Sequence, residues 1–405
     1  MTQTHEEIVI VSAVRTPFGR YGGALRDMDY YDLGAIPIRE VLARVPVDDL
    51  RVDEVYWGVG DTAACKDVYT PVAARQTLMK AGLPVSTPSV ALDKACVSAM
   101  SAVHYACRAM KAGEIQTAVA GGATSFSQMP LVVRGLRFSG FRIGSVEMED
   151  PLFALGYKDF APVAVDAGNT AVQMGISRED QDAWALRSHE NYAAAYGAGK
   201  FDEEIMSIEL PQKKGDPVLF SRDEQFRSNI SMERLSQLKT VYGSPTVTAG
   251  NAPGLNDGAT AVLLMTRRKA DELGLDPLCR ITAMSSIAIE PHRLAEAPAF
   301  AIKDVLRKAD LSLDDITVME INEAFAAVPL VSTKLLADGD RSKWEKIKSK
   351  TNVNGSAIAI GHPNTASGAR VIMNLLYELR RRGGGLAAGA ICGGLAQADA
   401  VVLRV

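Results

Sequence analysis

Cysteine is scarce in this chain of 405 residues, and its few cysteines follow no metal-binding or disulfide pattern. There are five, an odd number, and no two of them form a Cys-x-x-Cys pair. This scatter argues against a disulfide framework and against a structural zinc site, so we expect no bound metal. The chain also lacks a Gly-x-Gly-x-x-Gly motif after its first apolar run, which argues against a nucleotide-binding α/β enzyme.

Charge and hydropathy also give no sign of a nucleic-acid or membrane partner. Lysine and arginine together number 44, aspartate and glutamate 48, and the net charge is −4. Without a basic excess, we expect no binding to nucleic acid or to an acidic membrane surface. No run of about 18 apolar residues predicts a transmembrane helix, and no basic stretch precedes an early apolar run. These absences predict a cytoplasmic, soluble enzyme.

The pattern of apolar runs occurs twice, which predicts two related α/β halves. The repeated elements are an apolar run, a helix-like stretch and a second apolar run. They fall at residues 8–11, 40–42 and 54–57, and again at residues 281–284, 304–306 and 316–319. Such repeats indicate duplicated structural units. Strands that alternate with helices indicate mixed sheets covered by helices.

Each half then continues into a segment that carries a chemically reactive residue. In the first half a strand at residues 88–92 leads to Cys96 and an alanine-rich helix, whereas in the second His362 precedes a helix and Cys392 ends the last strand. Residues 126–244 have no counterpart in the second half, so we predict an inserted loop domain of the kind that supplies walls of a binding site. The predicted domains are residues 1–125 with 245–278, residues 126–244, and residues 279–405.

Three residues of these segments are candidates for catalysis. Cys96 lies where a strand meets a helix, and free backbone N–H groups and the helix dipole favour a thiolate there. His362 stands between Gly361 and a proline, which biases it toward extended backbone. Two glycines follow Cys392, and their exposed amides suit an oxyanion hole. Each signal alone is more simply structural, but their recurrence in duplicated frames favours a site.

Several motifs resemble the thiolase family over nearly the whole chain. They are VSAVRTPFGRYGGAL near the N-terminus, LDKACVSAM around Cys96, TVTAGNAPGLNDGA, INEAFAA, NGSAIAIGHPNTASGAR and the Cys-Gly-Gly turn at Cys392. The resemblance implies a thiolase-like duplicated α/β fold: two mixed-sheet halves in five layers, α-β-α-β-α, with an inserted loop domain. It also implies an acyl-CoA C-acyltransferase, which cleaves 3-oxoacyl-CoA with coenzyme A or runs the reverse Claisen condensation.

The resemblance further implies catalytic roles for residues that match the motifs. Cys96 matches the acyl-accepting nucleophile, His362 the base that activates it, and Cys392 the second cysteine, which moves the α-proton. Asn322 matches the asparagine that holds a water in a first oxyanion hole beside His362. The backbone N–H groups of Cys96 and Gly394 match a second oxyanion hole. Claisen chemistry needs such donors because it passes through tetrahedral oxyanions and an enolate.

Substrate contacts and assembly are implied in the same way. Arg227 matches a loop arginine that meets the adenine end of coenzyme A, Ala249 lies in a substrate-binding motif, and Phe325 matches a pocket-lining aromatic residue. Coenzyme A is expected as substrate or product, with no permanently bound cofactor. The resemblance also implies a homodimer or homotetramer.

The departures from the family pattern cluster around the acyl pocket. Val97 and Ala99 replace glycines beside the nucleophile, and Pro162 and Val163 replace a His-Met pair. None of the departures removes a reacting group. They predict that esters longer or bulkier than acetoacetyl-CoA react at least as well, and they leave the acyl group and the physiological direction open. Two alternatives remain: a β-ketoacyl synthase-type condensing enzyme, and a non-catalytic acyl-CoA- or lipid-binding protein.

Overall fold

The structure is a computed structural model that describes residues 6–48, 50–60, 72–140, 142–152, 157, 159–212 and 214–405. Cys65, one of the five cysteines, lies outside these residues. Within them, no helix combines the length and the apolar character needed to cross a membrane.

The elements follow one another in three groups along the chain. The first group is β1 (Ile8–Arg15), β2 (Gly19–Arg20), α1 (Tyr30–Ala43), β3 (Glu54–Val59), α2 (Ala73–Ala81), β4 (Ser89–Leu92), α3 (Ser98–Ala112) and β5 (Thr117–Thr124). The second is α4 (Leu136–Ser139), α5 (Val163–Gln173), α6 (Arg178–Gly197), β6 (Ile208–Leu210), β7 (Val218–Phe220), α7 (Met232–Ser236), β8 (Asn256–Thr266) and α8 (Arg267–Glu272). The third is β9 (Cys279–Ala288), α9 (Ala297–Ala309), β10 (Val318–Ile321), α10 (Ala327–Leu336), α11 (Arg341–Ser349), α12 (Ala357–Ile360), α13 (Asn364–Arg381), β11 (Leu386–Cys392) and β12 (Gln397–Arg404).

The strands repeat one arrangement twice. Their order is β1-β8-β5-β3-β4 in the first half and β9-β12-β11-β10 in the second. In both halves the second strand of this order is antiparallel to its two neighbours, and the strands beyond it pair in parallel. Residues 8–10 of β1 also pair with residues 279–281 of β9, which joins the halves into one sheet. The predicted mixed α/β fold with two related halves is confirmed.

Helices cover both faces of these strands and also fill the space between the halves. α1 and α2 share one apolar cluster with β3 and β5, and α9 and α10 share another with β10 and β11. Between the halves, α3 packs against α13, and both share a third cluster with strands of each half. α3 presents the buried Ala99, Ala102 and Ala106, whose small side chains allow close helix approach. This central pair of helices carries the candidate catalytic segments at its N-terminal ends.

The segment between β5 and β8 is fixed to both halves by buried polar groups. Arg15 of β1 is fully buried and forms ion pairs with Glu204 and Asp223. Glu323, also fully buried, accepts hydrogen bonds from the indole Nε1 of Trp184 at 2.8 Å and from Ser188 Oγ at 2.7 Å, both on α6. Removing one partner of a buried ion pair costs about 3–5 kcal/mol. These contacts therefore hold the segment between β5 and β8 against both halves.

Candidate active site

The two halves bring a cysteine and a histidine together. Cys96 lies in the 3-10 helix Ala95–Val97, between β4 and α3, and His362 lies between α12 and α13. The Cys96 Sγ atom is 3.2 Å from His362 Nε2. Both residues therefore stand just before a helix of the central layer, one in each half. This distance is within reach of proton transfer between the thiol and the imidazole.

Hydrogen bonds around His362 determine which ring nitrogen carries the proton. Nδ1 is 2.7 Å from Ser367 Oγ, and the Ser367 hydroxyl donates to the Pro363 carbonyl at 3.0 Å. Because that hydroxyl has a single proton, it must accept from Nδ1–H, so Nε2 presents its lone pair to Cys96. The backbone N–H of His362 donates to Asn256 Oδ1 at 2.9 Å, which fixes the segment. Ser367 was not among the residues predicted from the sequence. Its position four residues after Pro363, one turn into α13, could have indicated that its hydroxyl lies beside His362.

The cysteine and histidine are both neutral at rest. Desolvation by the surrounding protein raises the pKa of the Cys96 thiol to about 12. Burial, and secondly the positive charge of Arg370, lower the pKa of His362 to about 3. The expectation that the helix start favours a Cys96 thiolate is wrong, because backbone N–H groups lower this pKa by less than desolvation raises it. His362 is thus an uncharged base that faces a protonated thiol.

The second cysteine lies against the same segment. Cys392 ends β11 and is buried, and its pKa is raised by that burial and by the nearby Cys96. Gly394 follows it at a crowded point, because a Cβ atom there would lie 2.5 Å from Tyr157 Oη and 3.3 Å from the Ala95 Cβ. At Gly393 a Cβ atom would lie 2.7 Å from the Lys94 carbonyl oxygen and 3.0 Å from Val97 Cγ2, so only glycine permits this approach of the Cys392 turn to the Cys96 segment. Leu395, the next residue, has a φ of 53°, in the left-handed region that favours glycine.

Asn322 supplies a free donor to the interior of the second half. It follows β10, is fully buried, and its backbone N–H donates to the Ala390 carbonyl of β11 at 3.0 Å. Its Oδ1 accepts from Arg370 Nη2 at 2.5 Å. Its Nδ2 has no hydrogen-bond partner within the described part of the chain. Phe325, three residues later, is half-buried and packs on the apolar core of the second half.

The two remaining predicted substrate contacts lie on the segment between β5 and β8. Arg227 is half-buried, and its backbone N–H donates to His189 Nδ1 at 3.3 Å. Burial, then the nearby Arg20 charge, lower the pKa of Arg227. Ala249 is exposed on a turn that Asn251 holds by accepting from the Thr248 N–H at 2.8 Å. Among the described contacts, no hydrogen bond joins either residue to the Cys96–His362 pair, so their binding roles stay predictions.

Tyr157 joins the site without any signal in the sequence motifs. Its hydroxyl lies beside Gly394. Burial raises the pKa of this phenol to about 12, and Cys96, Asp93 and Cys392 add to the effect. The contact with Gly394 places the phenol oxygen at the turn that follows Cys392. Since the residue belongs to the segment between β5 and β8, only the folded arrangement brings it to the site.

A duplicated α/β fold with a cysteine–histidine pair and a second cysteine defines an acyl-transferring enzyme of the thiolase class. Family models confirm this: the thiolase N-terminal domain matches residues 8–268, and the thiolase C-terminal domain matches residues 275–405. The chain belongs to the thiolase family, and it is an acyl-CoA C-acyltransferase.

Individual relatives agree with this assignment. An acetyl-CoA acetyltransferase of Chromobacterium violaceum is 42% identical over 401 residues, covering 98% of this chain and 99% of the relative. The crystal structure of the Bacillus anthracis acetyl-CoA acetyltransferase has a TM-score of 0.90 at 35% identity, with 99% of each chain covered. Human mitochondrial 3-ketoacyl-CoA thiolase in complex with CoA has a TM-score of 0.90 at 37% identity, with 98% of each chain covered.

Proposed function

We propose that the transfer proceeds through an acyl-enzyme on Cys96. As the Cys96 sulfur attacks the C3 carbonyl of a 3-oxoacyl-CoA, His362 Nε2 takes the thiol proton. The C2–C3 bond then breaks, and its electron pair stays on C2 as the enolate of acetyl-CoA, while the shortened acyl group stays on Cys96. The observation that carries this step is the 3.2 Å contact between Cys96 Sγ and the unprotonated Nε2 of His362. A neutral base beside a neutral thiol suits attack that is coupled to proton transfer.

Cys392 completes the proton balance. Its thiol protonates the enolate carbon and becomes a thiolate, and acetyl-CoA leaves. Incoming coenzyme A returns a proton to Cys392, and its sulfur attacks the acyl-enzyme. The bond from Cys96 to the acyl carbon breaks, the shortened acyl-CoA is released, and His362 gives its proton back to Cys96. The raised pKa of Cys392 supports this role, because its thiolate is a strong base for the reverse reaction.

Backbone and side-chain donors stabilise the oxyanions in this scheme. The N–H groups of Cys96 and Gly394 serve one oxyanion, and the free Nδ2 of Asn322, with His362, serves the other through a water. The support is that the Asn322 donor is buried and unpartnered in the described residues. Loss of one oxyanion donor typically lowers kcat by about 10²–10³-fold.

Coenzyme A is the partner molecule of this chemistry, as substrate in thiolysis and product in condensation. Its support is the human thiolase structure that holds CoA. We assign the adenine end to Arg227, and the arm and acyl group to the neighbourhoods of Ala249 and Phe325. The scheme moves every proton among side chains, the enolate carbon and the thiol of coenzyme A, so it uses no permanently bound cofactor. Four free thiols in the described chain support a reducing, cytoplasmic location.

Intact-mass spectrometry after mixing with acyl-CoA tests the proposal. Wild type should gain one acyl group, and Cys96→Ala should gain none and lose turnover by several orders of magnitude. Cys107→Ala is the matched control, because Cys107 is another buried cysteine, within α3. Cys392→Ala should still form the acyl-enzyme but fail in condensation. An acyl group on a residue other than Cys96 would contradict the assignment of the nucleophile.

A further inference from the structure

Arg370 of α13 contacts two buried side chains of the second half, those of Glu320 and Asn322. The residue is fully buried. Its Nη1 forms an ion pair with Glu320 of β10, and its Nη2 donates to Asn322 Oδ1 at 2.5 Å. Glu320 is itself held by Ser356 Oγ, which donates to its Oε1 at 2.6 Å. A guanidinium locked by a carboxylate therefore contacts the side-chain amide that the proposed function places at an oxyanion.

This contact decides how the Asn322 amide is oriented. An arginine side chain has five N–H donors and no acceptor, so only the amide oxygen of Asn322 can face it. The amide nitrogen must then point away from Arg370. In the described residues Nδ2 has no partner there. A buried donor without a partner is costly, which indicates that a ligand oxygen or a water meets it during reaction.

We propose that Arg370 is a positioning residue of the acyl-transfer site, whose guanidinium fixes the Asn322 amide so that Nδ2 faces the reacting thioester. The charge also polarises the amide, because a charged donor on Oδ1 makes the N–H group a stronger donor. This inference rests on the proposed role of Asn322. It adds a residue on which that role depends.

Two further observations fit this assignment. Arg370 is one of the two causes that lower the pKa of His362, so its charge acts on the same catalytic neighbourhood. Burial raises the pKa of Glu320 to about 7, against the opposing effect of Arg370. A glutamine at position 320 is therefore a mild change that keeps the hydrogen-bonding shape.

The test compares two reactions of the same thiol. Acylation of Cys96 by acyl-CoA needs an oxyanion donor, whereas alkylation of Cys96 by iodoacetamide is a direct displacement that needs none. The variant is the double change Glu320→Gln with Arg370→Met, which leaves no unpaired buried charge. We expect single-turnover acylation to slow by about 10–100-fold with KM within about threefold. Alkylation should stay equal or become faster, because His362 loses a neighbouring positive charge.

Arg370→Lys, which keeps one cationic donor, should give an intermediate acylation rate and guards against loss of folding in the double variant. In an Asn322→Ala background, the change at Arg370 should slow acylation no further. If alkylation falls together with acylation, or if acylation is unchanged while Asn322→Ala is slow, Arg370 has no positioning role. If Asn322→Ala itself acylates at the wild-type rate, the proposed oxyanion role of Asn322 fails instead.

Discussion

At the scale of single residues, the reactive groups are fixed by partners that the motifs do not reveal. Ser367 sets the His362 tautomer, and Arg370 sets the Asn322 amide. The sequence could identify Cys96, His362 and Cys392 as candidates because glycine, proline and helix starts flank them. It could not give their protonation. Desolvation is a property of the folded surroundings, and here it outweighs the local backbone effect on the cysteine.

The pH dependence of acylation follows from these neutral groups. The pKa of His362 is lowered to about 3, so the imidazole stays unprotonated as the pH falls through 6.5, the ordinary value for histidine. The proton-accepting form is therefore lost only at much lower pH. We expect the single-turnover acylation rate of Cys96 to change by less than about twofold between about pH 5.5 and about pH 7.5.

Stopped-flow release of coenzyme A measures this rate directly, and circular dichroism at each pH controls for unfolding. A fall in rate with its midpoint near the ordinary histidine pKa, in protein that remains folded, would show that the imidazole is solvated during the reaction.

At the scale of elements, the repeat predicted β1, α1 and β3 in the first half and β9, α9 and β10 in the second. The run at residues 54–57 lies in β3 (Glu54–Val59), and the alanine-rich helix predicted after Cys96 is α3, which Gly113 caps with a φ of 77°. β8 had no clear signal, because it is buried along its whole length and so shows no alternation of polar and apolar residues. The domain boundaries, including the insertion at residues 126–244, remain a prediction.

The segment between β5 and β8 also bears on the choice of acyl group. Pro162 and Val163 offer less volume than a His-Met pair, and the Tyr157 phenol lies beside Gly394, on the turn that follows Cys392. We expect esters longer than acetoacetyl-CoA to give equal or higher kcat/KM in wild type. Tyr157→Ala should increase the preference for longer chains by about 5–100-fold, since one methylene in an apolar pocket is worth about 1–3 kcal/mol.

Steady-state thiolysis across a series of 3-oxoacyl-CoA esters provides the measurement. Tyr157→Phe keeps the ring and removes only the hydroxyl, so its chain-length profile should match that of wild type. A strong wild-type preference for acetoacetyl-CoA over every longer ester would show that the pocket is closed despite the smaller side chains at positions 162 and 163.

At the scale of the whole molecule, the site is assembled from parts far apart in the chain. The first half supplies Cys96, the second supplies His362, Cys392 and Asn322, and the segment between β5 and β8 supplies Tyr157. A buried network holds these parts in register, with Arg15 of β1 paired to Glu204 and Asp223 of that segment. The family resemblance could predict which residues meet, but the polar contacts between segments depend on tertiary packing and carry no sequence period.

At this scale we also expect several copies of the chain to associate. β4 is the edge strand of the first half and leads directly to Cys96, and its Val90 is 38% exposed. Exposed apolar side chains also occur between β5 and β8, where Phe138 is 95% and Ile143 98% exposed. Unpaired edges and apolar surface of this kind favour association. We therefore expect light scattering to give a homodimer or a homotetramer of the 43.3 kDa chain.

Val90→Lys should shift that assembly toward monomer, because a lysine on an edge strand opposes strand pairing. Activity should fall with the dissociation, since β4 carries the chain into the nucleophile segment. Val218→Lys is the matched control, because Val218 is an exposed valine on β7, away from this edge. A fully active wild-type monomer would show that the enzyme does not need to assemble. Equal dissociation by both substitutions would show that the interface does not lie at β4.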